Sequence, residues 1–358
     1  MENTMCFICD YCSPYGGNFI PLILEFADSF EKNFDLKLVF VFPFKAKEKA
    51  FMSYFSKYDV YYFDNSTKIK AIKSLLKIKR IVKPKYVYSH FVSSFIVNFC
   101  FFKKTDIIFC HLHSDFSLGN NKFKGLKDFF RYKIFSKKTY YLSVSPHIVN
   151  GLKKKTIVVN NCISLNRFQD SNVLRFQNNN TITMLLLAWI PYLKGLDIAY
   201  SFCHRLIQEI GTQIELYVVI GDTDEFVYKD FLEKNNAGMS YDFIHFLKPI
   251  ENIFNYIEQT DFLLSCSRSE GFPYSVLESL YKHKKCLLSK IPGNLRFANF
   301  DGVEFFDLND ADDFIKKFKK LNSQVINWAS NDELINNQYL SKTWVDGIIS
   351  FMGDKIHD

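Results

Sequence analysis

Long apolar runs are missing from this chain of 358 residues. The longest mostly apolar stretch, FVSSFIVNFCFF (91–102), is about a dozen residues, too short for a helix that crosses a bilayer. Nine cysteines, an odd number, lie scattered without paired framework spacing, and no charged-then-apolar leader precedes the first strand-like run, MCFICD (5–10). The cytosol is therefore the expected compartment. Cys6, Cys9 and Cys12 share a two-residue spacing, yet Cys6 and Cys9 point to opposite faces of a strand and no matching Cys or His pair follows, so no metal is expected there. No low-complexity tract occurs. No G-x-G-x-x-G occurs either, which removes support for a dinucleotide oxidoreductase. Acidic residues are scarce in one half only: up to Asn160 there are 26 Lys and Arg against 12 Asp and Glu, and beyond it 19 against 26.

What is present fits an enzyme of two domains. The length exceeds one typical domain, and 39 Phe and 20 Tyr supply two cores. Strand-like runs at 5–10, 36–43, 59–63, 85–90, 106–113, 140–145 and 156–161 alternate with helical or basic segments, and after a polar stretch the pattern restarts at 181–190, 214–222, 242–247, 261–266 and 285–290. Short apolar strands separated by helices imply parallel, doubly wound sheets. The domains are placed at 1–169 and 181–335, joined by a linker at 170–180 and followed by a C-terminal helical segment at 336–358. Two segments, KIKAIKSLLKIKRIVKPKYVY (68–88) and KFKGLKDFFRYKIFSKK (122–138), interleave cations with apolar residues, a pattern that lies on anionic lipid or forms a solvated helix face. The membrane surface is the preferred expectation. Nucleic acid is the runner-up, weakened by the lack of a recognisable binding motif.

The densest chemistry lies in SEGFPYSVLES (269–279), where an apolar strand ends in a Gly-Phe-Pro turn that opens a helix. Free backbone N–H groups at such a helix start meet anionic or hydroxyl-rich ligands. Glu270 falls in the turn and Glu278 about two turns into the helix, although an ordinary helix N-terminus also carries acidic residues. In DIIFCHLHSD (106–115), His111 and His113 share a strand face at the strand's end, followed by Asp115, with His90 ending another strand. Open α/β sheets place ligands at such ends. Gly16 and Gly17 in SPYGGNF (13–19) allow close backbone approach to a ligand.

Residues 244–294, IHFLKPIENIFNYIEQTDFLLSCSRSEGFPYSVLESLYKHKKCLLSKIPGN, resemble the nucleotide-sugar region of the retaining, metal-independent glycosyltransferases of family GT4, the glycosyltransferase group 1 family. LLLAWIPYLKGLDIAY (185–200) is similar to that family's donor-phosphate motif, with Lys194 and Gly195 at its Lys-Gly, and SPYGGNF to its glycine-rich loop. The resemblance implies a GT-B architecture: two Rossmann-like domains facing a cleft, with the last helix returning to the first domain. It implies transfer of a hexose from a nucleotide diphosphate sugar with retention, without cofactor or metal. Glu278 would then accept from the ribose hydroxyls and Glu270 would engage the transferred sugar beside Gly271 and Phe272. Lys194 would neutralise the leaving diphosphate, His113 would orient the sugar, and Gly221 and the backbone at Leu247 and Lys248 would border the nucleotide.

One departure stands out. Relatives commonly carry an arginine five residues before the lysine, where this chain has Trp189, and Arg268 is a candidate to compensate. Asp222 and Asp224 superficially form a metal-binding pair but align with the family's Gly-Asp loop. The implied acceptor is a glycan, on a polyprenyl diphosphate, in bacterial O-antigen, capsule or exopolysaccharide synthesis, with the enzyme at the inner face of the membrane. The competing readings are a sugar-nucleotide epimerase of the same architecture and a non-catalytic basic protein that binds membrane or nucleic acid.

Overall fold

The protein is described from a computed structural model that covers residues 3–103, 105, 107–113, 137–149, 155–167, 175–176, 181–211, 213–221, 224–236 and 241–356. It divides into two compact units, Met1–Asn161 with Ser341–Asp358, and Cys162–Leu340.

In the first unit the chain runs β1 (Thr4–Cys9), α1 (Phe19–Asn33), β2 (Lys37–Pro43), β3 (Asp59–Phe63), α2 (Lys68–Val82), β4 (Tyr86–His90), α3 (Ser94–Phe101), β5 (Ile107–Leu112), β6 (Thr139–Ser143) and β7 (Thr156–Val158). The strands form one parallel sheet in the order β3-β2-β1-β4-β5-β6-β7. Every residue of β1 is buried, which is why it reads as an unbroken apolar run: a parallel strand covered on both faces has no solvent side to alternate with. Thr67 caps α2 by accepting from the Lys70 N–H, and the helix keeps Ala71, Leu75 and Ile78 inside. Its other face, with Lys68, Ile69, Lys70, Lys73, Lys77, Arg80 and Ile81, is exposed. Most of the second basic segment, 122–136, lies outside the described residues, as do Asp115 and Asp222.

The second unit continues with β8 (Ile182–Leu187), α4 (Leu196–Ile210), β9 (Ile214–Val219), α5 (Glu225–Asn235), β10 (Ile244–Leu247), α6 (Phe254–Ile257), β11 (Phe262–Ser265), α7 (Tyr274–Tyr281), β12 (Lys285–Ser289), β13 (Val303–Phe306), α8 (Ala311–Ser323) and α9 (Trp328–Gln338). Its parallel sheet has the order β10-β9-β8-β11-β12-β13. Leu196, Ala199, Tyr200, Cys203 and Leu206 of α4, spaced at helical period, bury into one core with Leu186, Leu216, Val218 and Leu264. The α/β class and the paired Rossmann-like sheets are those the alternating runs imply.

Three details depart from the sequence expectation. Strand β13 was missed because Glu304 interrupts its apolar pattern; the carboxylate is nearly buried and held by Lys317 and Lys320, which also pull its pKa below the usual carboxylate range against the opposing effect of burial. The units divide at Asn161 rather than 169, because Ile163 N–H donates to Tyr339 O and thereby ties the chain beyond Asn161 to the second unit. At the other end the segment 336–358 is split. Residues up to Leu340 belong to the second unit, and α10 (Ser341–Ile356) packs on the first, with Trp344 against Phe26 and Phe351 against Phe109.

In both sheets the strand order reverses next to the first strand, at β1/β4 and at β8/β11. Crevices outside the carboxyl ends of strands at such a switch point are where doubly wound sheets hold ligands. One helix start tests the local stability of the second unit: the Asp310 carboxylate accepts from the N–H groups of Asp312 and Asp313 at 3.0 Å each. Asp310→Ala is expected to remove about 1 kcal/mol and lower the urea midpoint of this unit, whereas Asp310→Asn, which caps equally well, leaves it unchanged.

Candidate active site

At the second switch point the loops after β8 and β11 are pressed together. Gly195 sits at φ +66°, and a Cβ there would lie 2.0 Å from the carbonyl oxygen of Cys266, a separation no side chain tolerates. The Arg268 N–H donates to Leu193 O at 2.8 Å, and its guanidinium grips both carboxylate oxygens of Asp197, at 3.0 and 2.7 Å, while stacking 4.2 Å above the Tyr192 ring. Arg268 thus fastens one loop to the other. Trp189 itself is 44% exposed.

Glu270 and Lys194 meet across this seam. Lys194 Nζ donates to Glu270 Oε1 at 2.5 Å, and Ser267 Oγ donates to the same oxygen at 2.7 Å. The turn that carries Glu270 is braced from the β12 side. Ser289 Oγ donates to Ser267 O at 2.7 Å, Asn294 Nδ2 donates to Ser289 O, and a Cβ on Gly293 would fall 2.3 Å from the Glu270 carbonyl oxygen. Gly271 and Phe272 are buried, and the Phe272 ring packs against Phe297 and Tyr339, so only their backbone is available to a ligand.

Glu278 lies in α7, 4% exposed, and accepts from Arg167 Nη2 at 2.6 Å. Arg167 is held in turn by the Ser164 carbonyl, to which its Nε donates at 3.1 Å, and by the Phe254 ring, 4.2 Å from its guanidinium carbon. Sequence reasoning missed Arg167 because the pairing spans 111 residues. Both carboxylates are anchored through Oε1 alone. Oε2 of Glu270 and Oε2 of Glu278 accept no hydrogen bond from the described residues.

The remaining residues expected near the nucleotide border the same sheet edge. Gly221 follows β9; its N–H donates to Tyr228 Oη at 2.7 Å, and the Tyr228 hydroxyl donates on to Trp189 O, linking this loop to the one after β8. Leu247 ends β10 in the core, and the next carbonyl, of Lys248, accepts from the Tyr256 hydroxyl while the lysine side chain is exposed. Asp224 spends its carboxylate on the α5 N-terminus, accepting from the Phe226 N–H at 2.9 Å.

Gly16, Gly17 and His113 belong to the first unit. Gly17 adopts φ +55° in the turn between β1 and α1, and the Gly16 carbonyl accepts from Ile20 N–H. His90 ends β4, pairs in register with His111 on β5, and places Nδ1 3.0 Å from His113 Nε2. Tyr88 Oη lies 2.9 Å from His111 Nδ1. Burial keeps all three imidazoles neutral near pH 7, lowering His113 to about 3 and the other two well below their ordinary value.

A buried ion pair is costly to break from one side, because the surviving charge stays buried without its partner. Arg167→Met is therefore expected to destabilise the second unit by about 3 kcal/mol or more, read from the urea midpoint. Adding Glu278→Leu to Arg167→Met should recover most of that loss, since an apolar pair of similar volume replaces both charges; a double variant no more stable than the single one would contradict the assignment.

No curated protein sequence matches the chain. Solved structures do. Anabaena HepE in complex with UDP-glucose is similar with TM-score 0.74 at 13% identity, covering 98% of this chain and 99% of that one. A glycosyltransferase from Rickettsia africae ESF-5 gives 0.73 at 12% identity, over 98% and 97%. A putative UDP-N-acetylglucosamine 2-epimerase from Listeria monocytogenes gives 0.62 at 12%, over 98% and 95%. At these identities the likeness establishes the two-domain GT-B fold. Residues 169–340 match the family model "Glycosyl transferases group 1", a segment that spans the second unit almost end to end.

Proposed function

We propose that the protein is a retaining hexosyltransferase of the GT4 type that uses a nucleotide diphosphate sugar without a metal at the donor phosphates. The observation that carries this reading is the pair of carboxylates after β11, each anchored through Oε1 and each with Oε2 left over, beside the Lys194 ammonium. Glu278 accepts from the ribose hydroxyls; a charge-assisted hydrogen bond of that kind contributes roughly 1.5–3 kcal/mol to donor affinity. Glu270 engages the transferred hexose. Lys194, now paired with Glu270, turns to the diphosphate as charge builds on the leaving group, which a compact ammonium neutralises well. Gly195 and Gly221 keep the backbone close to the nucleotide, with Leu247 and Lys248 at the base. The donor base most favoured is uracil, because HepE was solved with UDP-glucose. The acceptor is a glycan on a polyprenyl diphosphate, in bacterial surface-polysaccharide synthesis at the inner face of the membrane, a setting supported by the exposed cations and isoleucines of α2. No helix among the described residues is long and apolar enough to cross a membrane.

Calorimetry with a panel of UDP- and GDP-sugars, free of divalent metal, tests the reading. One nucleotide class should bind, and Glu278→Gln, which keeps an oxygen for Arg167, should weaken it about tenfold, equivalent to 1.4 kcal/mol. Lys194→Ala should lower turnover by a factor of 10² or so. The product should be a glycoside that retains the donor's anomeric configuration, formed faster on acceptor-bearing vesicles with anionic lipid than on neutral ones. A 2-epimerised sugar as the product would favour the epimerase, and a folded protein that binds no nucleotide would end the transferase reading.

A further inference from the structure

Three histidines of the first unit converge as a group. His90 closes β4, His111 lies opposite it on β5, and His113 follows just beyond the end of β5. One ring nitrogen from each lies within 4.8 Å of the other two, and among the described residues no second group of three metal-ligating side chains comes this close together. The rings are walled by aromatics: Phe7 stacks on His90 at 5.1 Å, Phe91 on His113 at 4.1 Å and Trp344 on His111 at 5.9 Å.

Aromatic packing alone accounts for buried rings but not for their nitrogens. His111 uses Nδ1 toward Tyr88 Oη, yet its Nε2 is buried with no hydrogen-bond partner. An unsatisfied buried polar atom costs about 1–3 kcal/mol. A histidine fixed through one ring nitrogen, with the other left open, is the arrangement of a metal ligand whose orientation is set by a neighbouring group. His90 Nδ1 and His113 Nε2, 3.0 Å apart, share a single proton. Two nitrogens bound to one tetrahedral zinc ion, each at ~2.0–2.1 Å, stand about 3.3 Å apart. The pair is already near that spacing.

We propose that His90, His111 and His113 form a binding site for a divalent transition-metal ion of the zinc type, ligated through His90 Nδ1, His113 Nε2 and His111 Nε2, with a fourth position open to water or a ligand oxygen. The ion takes the place of the shared proton, which moves to the other nitrogen of its own ring, so three neutral imidazoles coordinate and no net proton is released. Bringing the third imidazole in closes a separation of up to 4.8 Å to the tetrahedral edge of about 3.3 Å. An all-imidazole set suits zinc, copper or nickel, and excludes magnesium and calcium, which take oxygen ligands. The site does not depend on the donor-binding reading and is measured without any nucleotide.

The full-length protein, stripped with a chelator, is titrated with Zn²⁺ by calorimetry and with Co²⁺ by visible absorption. One equivalent should bind in the micromolar range or tighter, give the intense visible bands of four-coordinate cobalt, and raise the thermal midpoint. His111→Leu should weaken binding about a hundredfold or more, and Tyr88→Phe, which keeps all three imidazoles, about 10–100-fold. Five further histidines in the chain offer weak adventitious binding. Affinity undiminished in His111→Leu, or no equivalent tighter than those five provide, would overturn the site. Should His111→Leu fail to show a folded thermal transition, His113→Gln is titrated in its place and must show the same loss.

Discussion

The close approach of the loops after β8 and β11 is the constraint on which the second unit's chemistry rests. It begins with a missing atom: only a glycine at 195 lets the β8 loop lie against the Cys266 carbonyl. Once the backbones touch, Arg268 clasps Asp197, and Lys194 reaches Glu270. Side chains that start on two different strands are therefore positioned by backbone contact, not by their own torsions. The same device recurs on the far side of Glu270, where Gly293 admits the turn after β12. A carboxylate held by a lysine and a serine, on a turn whose backbone is packed close by glycine contacts, has little freedom to move, which is what preorganisation of an electrostatic site requires.

Glu278 is held differently. Its carboxylate is buried, and the desolvation of two charges makes an ion pair of this kind a poor source of stability. Its value lies in keeping a charged oxygen at a fixed place on α7 while Oε2 remains open. A hydrophobic pair would serve the fold as well and would leave nothing for a ligand to bind. That asymmetry, neutral for folding and required by the proposed donor recognition, is why the pair carries the proposal more directly than burial or charge alone.

The sequence made the strands legible because buried parallel strands are continuous apolar runs; it singled out Glu270 and Glu278 because they follow such a run where a loop opens a helix, and Lys194 through the resemblance to the family's donor-phosphate motif. What it concealed was long-range. Arg167 lies 111 residues from Glu278, and nothing local marks it as a partner. Arg268 reads as a spare cation until Asp197 is seen beneath it, and Gly293 reads as an ordinary turn glycine until the Glu270 carbonyl is seen against it. Strand β13 was hidden by Glu304, whose charge is compensated by lysines on a helix that follows it. The histidine cluster was seen as two residues on one strand; the third is supplied by the parallel register of β4 and β5.

The central claim is that the free oxygens of the two glutamates are the donor site. A crystal structure of the protein with UDP, or with whichever nucleoside diphosphate binds, tests it most directly. The account predicts ribose hydroxyls on Glu278 Oε2 and the diphosphate beside Lys194, with the Arg167–Glu278 pair intact. A nucleotide bound elsewhere, with both Oε2 atoms facing only water, would contradict it.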